Sequence, residues 1–181
     1  MTDKLYALAA ALFAYDPAAL RFHGSAWPRV GWLAGVASSG WRYGGLMTTV
    51  HEWRGAFTNQ EVNALHAEAF KTRVFDQSEW NWAELVHRHS LGWVVAREGA
   101  ELVGFVDVLW DGLVHAWLQD TMVAVKARGT GVGTKLVACA RDGAKRAGCE
   151  YLHVDFEDHL RPFYLGACGF APTNAGLPSL G

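Results

Sequence analysis

The segment that most restricts the fold is Val123-Ala124-Val125-Lys126-Ala127-Arg128-Gly129-Thr130-Gly131-Val132-Gly133-Thr134-Lys135, which joins a strand-like run to a helix-like one. Glycines at alternate positions open backbone conformations closed to other residues and let a ligand approach the main chain. The first amides of a helix have no partner inside it and lie at the positive end of its dipole, so such a turn suits a pyrophosphate. Lys135 or Arg128 can add charge toward a phosphate. No G-x-x-x-x-G-K-[ST] spacing can be drawn through the segment, and Thr134 stands where the dinucleotide fingerprint needs its third glycine. A tight strand-to-helix turn with no ligand remains open at this point.

The flanking patterns say what the turn connects. Downstream, Val132, Leu136, Val137, Ala140, Ala144 and Ala147 share one helical face, and Gly148 ends it. Tyr151 to Phe156 reads as the next strand, Leu160 to about Ala167 has helical spacing, and Gly169-Phe170 marks the exit. Strand, helix and strand in that order require a right-handed crossover and a parallel pair. Upstream, Trp93 to Ala96, Leu102 to Trp110 (with Gly104 a candidate bulge) and Val114 to Val123 form a three-strand antiparallel meander. Asp111-Gly112 is a type I′ hairpin signal. Before the meander, Thr58 and Glu61 fit a capping box, Phe57 and Val62 a hydrophobic staple, and Val62, Leu65, Ala69 and Phe70 one helical face. A second helix is expected from Ser78, burying Trp82, Leu85, Val86 and His89 and ending near Gly92. The sum is a mixed α+β domain rather than a doubly wound sheet.

Residues 1–46 read differently. Leu5 to Tyr15 is an apolar run of eleven residues, short of the ~20 that span a bilayer. Asp3 cancels the charge of Lys4, and Asp16-Pro17 stands where a signal peptide would need small residues, so a short helix closed by Pro17 is expected. Arg21 to Leu46 has six glycines, three tryptophans and no periodicity. These 46 residues are therefore expected to be a loosely ordered extension, with the folded domain covering residues 47–181 and starting at Met47. With 51% apolar residues and a formal charge of −2, the chain can bury a core and shows no basic face for nucleic acid. Cys139, Cys149 and Cys168 lack metal-ligand spacing and read as reduced thiols of a cytoplasmic protein.

Arg128-x-x-Gly131-x-Gly133 resembles the Q/R-x-x-G-x-G/A loop of the GNAT N-acetyltransferase superfamily. Val154, Asp158, Arg161 and Tyr164 fall at the spacing of that family's V-x-x-x-N-x-x-A-x-x-Y signature, and Gly169-Phe170 closes it like the usual G-F ending. The resemblance covers about residues 50–175. It implies the GNAT-like acyl-CoA N-acyltransferase fold: α+β, with a mixed, mainly antiparallel sheet, flanking helices, and two strands splayed around acetyl-CoA. By the same resemblance, pantetheine would meet the backbone of Val123, Ala124 and Val125. The pyrophosphate would meet amides of Arg128, Gly129, Thr130, Gly131, Val132, Gly133 and Thr134. Tyr164 matches the tyrosine that often protonates the departing thiolate, a role a phenol can fill. Asp158 stands where asparagine is usual, on the cofactor side, and Arg161 where alanine is usual, within reach of a phosphate or of Asp158.

Direct attack on a thioester needs a neutral amine, so a protonated acceptor must first lose a proton. Strand alternation puts His115, Trp117 and Gln119 on one face and Leu118 and Asp120 on the other. His115 is the first candidate for a catalytic base; Asp107 and Glu157 are weaker options, and a water chain serves equally. Trp80, Trp82 and Trp53 can line an acceptor pocket or fill core, while His51, His66, His87 and His89 show no metal spacing. The expected activity is acetyl transfer from acetyl-CoA to a primary amine of a small molecule or peptide in a ternary complex. No metal, nucleic acid or membrane takes part, and a homodimer is allowed. Alternatives are a non-catalytic CoA-binding regulatory module of the same fold and a nucleotide-binding domain using the same turn.

Overall fold

Five strands, β1 (Val50–Trp53), β2 (Ser90–Glu98), β3 (Glu101–Trp110), β4 (His115–Val123) and β5 (Tyr151–Val154), form one sheet in that spatial order. The computed structural model describes residues 48–176 together with 178 and 179. The expectations for residues 1–46, and for Met47 as the start of the domain, lie outside the described residues. The first four strands pair antiparallel, and β5 joins β4 in parallel after the crossover. This is the expected mixed α+β architecture.

Among the described residues three α-helices flank the sheet: α1 (Asn59–Phe70), α2 (Trp82–His89) and α3 (Val132–Arg146). The capping box at Thr58 and Glu61 is present, each side chain bonded to the other's backbone amide. Asn81 caps α2, so that helix starts at Trp82, four residues later than the Ser78 expectation, and His89 is exposed at its end. A short 3₁₀ turn, Val125–Ala127, precedes α3, and a second one, Asp158–Leu160, leads into a π-helical segment, Pro162–Ala167. The expected regular helix over Leu160–Ala167 is thus replaced by tighter and wider turns.

Each face of the sheet has its own core. Phe105 on β3 meets the rings of Phe57 and Trp82, so its face carries α1 and α2. The neighbouring Gly104 faces α3, whose Leu136 Cδ1 would lie 2.7 Å from a Cβ there. Space, more than the irregularity beside it, explains this glycine. Trp53 of β1 lies on the α3 face, wedged against Gly92 and Gly143, where an added Cβ would approach its ring to 2.3 Å in both cases. It therefore packs core rather than an acceptor pocket. Trp82 is fully buried, with Nε1 donating to Asn63 Oδ1 at 2.9 Å, which satisfies the one polar atom of a large apolar group.

The β3–β4 connection departs from the expected two-residue turn. Strand β3 ends at Trp110 and β4 begins at His115, and only Gly112 of the intervening residues has positive φ. A type I′ turn needs two such residues. Here the Asp111 carboxylate accepts from the amides of Leu113, at 2.7 Å, and His115, at 3.2 Å, and shapes a wider loop instead.

Candidate functional site

Strand β4 pairs with β5 only from His115 to Leu118, opposite Tyr151 to Val154, and then runs on alone to Val123. The cause lies on its other edge. Phe105 pairs with Met122 and Asp107 with Gln119, so the single residue Val106 faces both Asp120 and Thr121. This is a β-bulge, which bends and twists the strand that carries it. Asp120 adopts φ 49°, a left-handed conformation that costs a non-glycine residue about 1–2 kcal/mol. The bulge begins at Asp120, two residues past Leu118, the last residue that β5 follows.

The bulge also corrects the expected alternation, which placed Asp120 on the face of Leu118. Asp120 instead exerts its charge on His66 of α1 and on Asp107, on the α1–α2 side of the sheet. Burial raises the pKa of the Asp120 carboxyl, and the His66 charge opposes that shift. Asp107 is 1% exposed, and burial pushes its carboxyl up to about 6 despite hydrogen bonds from Ser90 Oγ and the Val108 amide.

Opposite the bulge stands Tyr164. It is 5% exposed, and the π-helical segment aims it back toward β4. Phe156 stacks on its ring with centroids 4.9 Å apart, and Phe163 and Phe170 meet it edge-on. Its hydroxyl comes close enough to the Thr121 side chain on the bulge for that side chain to act on its ionisation. Burial raises the phenol's pKa and the Thr121 contact offsets this in part. The group is thus a proton donor at neutral pH, not a phenolate.

Next to this gap lies the start of α3. Gly131 is its N-cap at φ 88°, and no side chain caps the first turn. The amides of Val132, Gly133 and Thr134 are then first-turn donors without a side-chain cap, as an anion site requires. Thr130 Oγ1 donates to Ala127 O at 2.8 Å and tightens the loop. Arg128 and Gly129 are exposed beside it. Along the end of β4, Ala124 N is used by Val103 O at 2.9 Å. Val123 O accepts from Arg128 Nε at 3.1 Å, and Val125 N donates to Glu68 Oε1 at 2.7 Å. These last two groups are held by side chains rather than by a strand. Asp158 is exposed and accepts from Arg161 Nε at 3.2 Å.

His115 lies elsewhere. It sits at the closed end of the β4–β5 pair, about 13 Å along the strand from Gln119 at ~3.3 Å per residue. Its Nδ1 is 2.7 Å from His153 Nε2, and its ring stacks on those of Tyr151 and His153, each with centroids 5.0 Å away. The structure does not bring it to the gap. Glu157 is exposed and pairs with His159 at 3.2 Å. The residues that sequence reasoning missed are Asp120 and Thr121. Their signal was unreadable because a bulge shows only once β3 is in register.

Among the described residues there is no cluster of three or more metal-ligating side chains. The cysteines are free, and burial raises all three thiols.

A family model described as "Acetyltransferase (GNAT) family" matches residues 50–170. No curated protein sequence is a match. Solved structures of similar fold include a transcriptional regulator from Bacillus halodurans C-125. It is 20% identical, covers 72% of this chain and 99% of its own, and has a TM-score of 0.61. A glucosamine-6-phosphate N-acetyltransferase from Arabidopsis thaliana is 17% identical over 72% of this chain and 97% of its own, with a TM-score of 0.58. An aminoglycoside N-acetyltransferase solved with CoA is 16% identical over 73% of this chain and 93% of its own, with a TM-score of 0.58. At these identities the likeness speaks for the fold.

Proposed function

The chain belongs to the acetyltransferase (GNAT) family, and from that premise we propose that it passes the acetyl group of acetyl-CoA directly to a primary amine of a small molecule or peptide. The observation that carries this reading is Tyr164, buried among Phe156, Phe163 and Phe170 in the segment that packs against the uncapped start of α3 at Gly133.

The residues fit a CoA thioester. The first-turn amides of α3 and the Gly129–Gly131 backbone would hold its diphosphate, with Arg128 adding charge. The edge of β4 at Val123 and Val125 would pair with pantetheine amides, replacing the Arg128 and Glu68 side chains there now. This places the thioester at the bulge. Tyr164, protonated at neutral pH, donates to the sulfur as negative charge develops on it. The acetyl group supplies the electrophile, and no covalent acyl-enzyme is needed. Small aminated sugars are the first acceptors to try, since solved neighbours are named for acting on an aminoglycoside and on glucosamine-6-phosphate.

Thermal melting and thiol release test the reading together. Acetyl-CoA at 100 times its dissociation constant adds roughly 2.7 kcal/mol and raises Tm, while ATP and NAD leave it unchanged. Free thiol then appears only when an amine is present. Tyr164→Phe keeps the Tm shift and lowers kcat by about 10²-fold. Binding without amine-dependent release across a broad panel would favour the regulatory module, and stabilisation by ATP alone the nucleotide-binding domain.

A further inference from the structure

Three carboxylates, Glu61 and Glu68 of α1 and Glu101 of β3, line a cavity of about 530 Å³ that Val125 and Lys126 also border. Two of them are neutralised by cations: Glu61 pairs with Arg97 at 2.8 Å, and Glu101 pairs with Lys126. Glu68 makes no ion pair among the described residues. Its Oε1 instead accepts from the Val125 amide at 2.7 Å, a contact between residues 57 apart in sequence.

That amide stands where the β4 edge gives way to the 3₁₀ turn. Ala124 N points toward β3 and donates to Val103 O at 2.9 Å, so the next amide, that of Val125, points away from β3. The Val125 carbonyl already accepts from Arg128 N at 3.2 Å, which leaves the amide as the group this residue can offer a ligand. An unpaired edge amide needs a partner, and Glu68 supplies one while the edge is empty. Glu68 and Val125 are both exposed, so the contact is open to displacement.

Resting on the acetyl-transfer reading above, we propose that Glu68 is a latch on the donor edge: its carboxylate competes with a pantetheine carbonyl of acetyl-CoA for the Val125 N–H. The donor then binds only those molecules in which Glu68 has swung away, and its apparent dissociation constant is the intrinsic one divided by that open fraction. An exposed hydrogen bond of this kind sets the fraction at roughly one third to one tenth. The donor's own charge holds the latch open. Its phosphates repel Glu68 and attract Arg128, whose Nε now occupies Val123 O at 3.1 Å. The displaced carboxylate has a receiver in Lys126, which borders the same cavity and already feels the Glu68 charge.

The test uses the full chain, with CoA and S-acetylpantetheine as probes, and follows the Val125 amide by NMR titration. In the empty protein, Glu68→Ala shifts the Val125 resonance, because its acceptor is gone. Glu68→Ala binds CoA about 3- to 10-fold more tightly than the wild type. S-acetylpantetheine, which carries no phosphate, gains as well. Glu68→Gln keeps an acceptor oxygen without the charge, and its affinities fall between the two. Unchanged or weaker CoA binding in Glu68→Ala overturns the latch alone. A gain for CoA with none for S-acetylpantetheine also overturns it, since charge repulsion would then account for the whole effect. So does a Val125 resonance that ignores the substitution in the empty protein. If neither the wild type nor Glu68→Ala binds CoA, the acetyl-transfer reading itself falls and the latch with it, a result distinct from the other three.

Discussion

Asp107 shows how position, rather than residue type, sets the behaviour of a carboxyl group. Strand β3 delivers it to the sealed face under α1 and α2, and its pKa rises from 3.8 to about 6, with burial as the main cause. A folded-state pKa above the unfolded one means that the folded chain holds its proton longer. The associated stability is therefore complete below about pH 4, is lost as pH rises from there to about 6, and is absent above. The difference amounts to roughly 3 kcal/mol at most. Asp107→Asn removes the charge and keeps the shape, so its Tm should exceed that of the wild type at pH 8. At pH 4 the advantage should vanish or reverse, because an amide satisfies the Ser90 and Val108 donors less well. Melting curves at the two pH values decide it, and an equal difference at both would assign the effect to packing. The same dependence on position separates His115 from Asp120. Both sit on β4, and their order in sequence gives no hint that the strand bends between them.

At the scale of elements, the glycines of the β4–α3 turn divide two tasks. Gly131 is needed for its φ of 88°, in open space. Gly133 is needed for room, since a Cβ there would lie 3.2 Å from the Phe163 ring, next in sequence to Tyr164. Gly131→Ala strains the cap by about 1–2 kcal/mol and should raise the KM for acetyl-CoA roughly tenfold with kcat little changed. Gly133→Ala pushes on the segment carrying Tyr164 and should lower kcat instead. Steady-state kinetics of the two variants separate these effects, and identical changes in both would refute the division. Local signals made much of this visible beforehand. The capping box at Thr58 and Glu61 and the helical face from Val132 to Ala144 depend on neighbours within a few residues, and both are present. Strand β1 escaped notice because four residues with no alternating pattern become a strand only by pairing with Arg97 to Val94. The bulge escaped because alternation assumes an unbroken ladder. The π-helical turn escaped because Leu160 to Ala167 has spacing that suits a regular helix equally well.

For the whole molecule, the remaining question is how much chain the fold needs. The sheet and its three helices lie between Val50 and Val154, and the family match spans residues 50–170. The core they enclose runs from Val62 to Cys168 and includes Trp82, Phe105, Met122 and Leu136, all fully buried. Among the described residues that core is packed by side chains from Trp53 to Phe170, and the proposed donor site is built from β4, the start of α3 and Tyr164. Cooperative folding follows from a closed core rather than from chain length. A chain reduced to residues 47–181 should therefore stay soluble, melt in a single transition and gain Tm with acetyl-CoA by as much as the full chain does. Size-exclusion chromatography and paired melting curves would check this. An aggregated fragment, or one that folds but no longer responds to acetyl-CoA, would mean that residues 1–46 belong to the domain or to its donor site. The two failures differ in kind, because the first exposes an open core and the second an incomplete cleft.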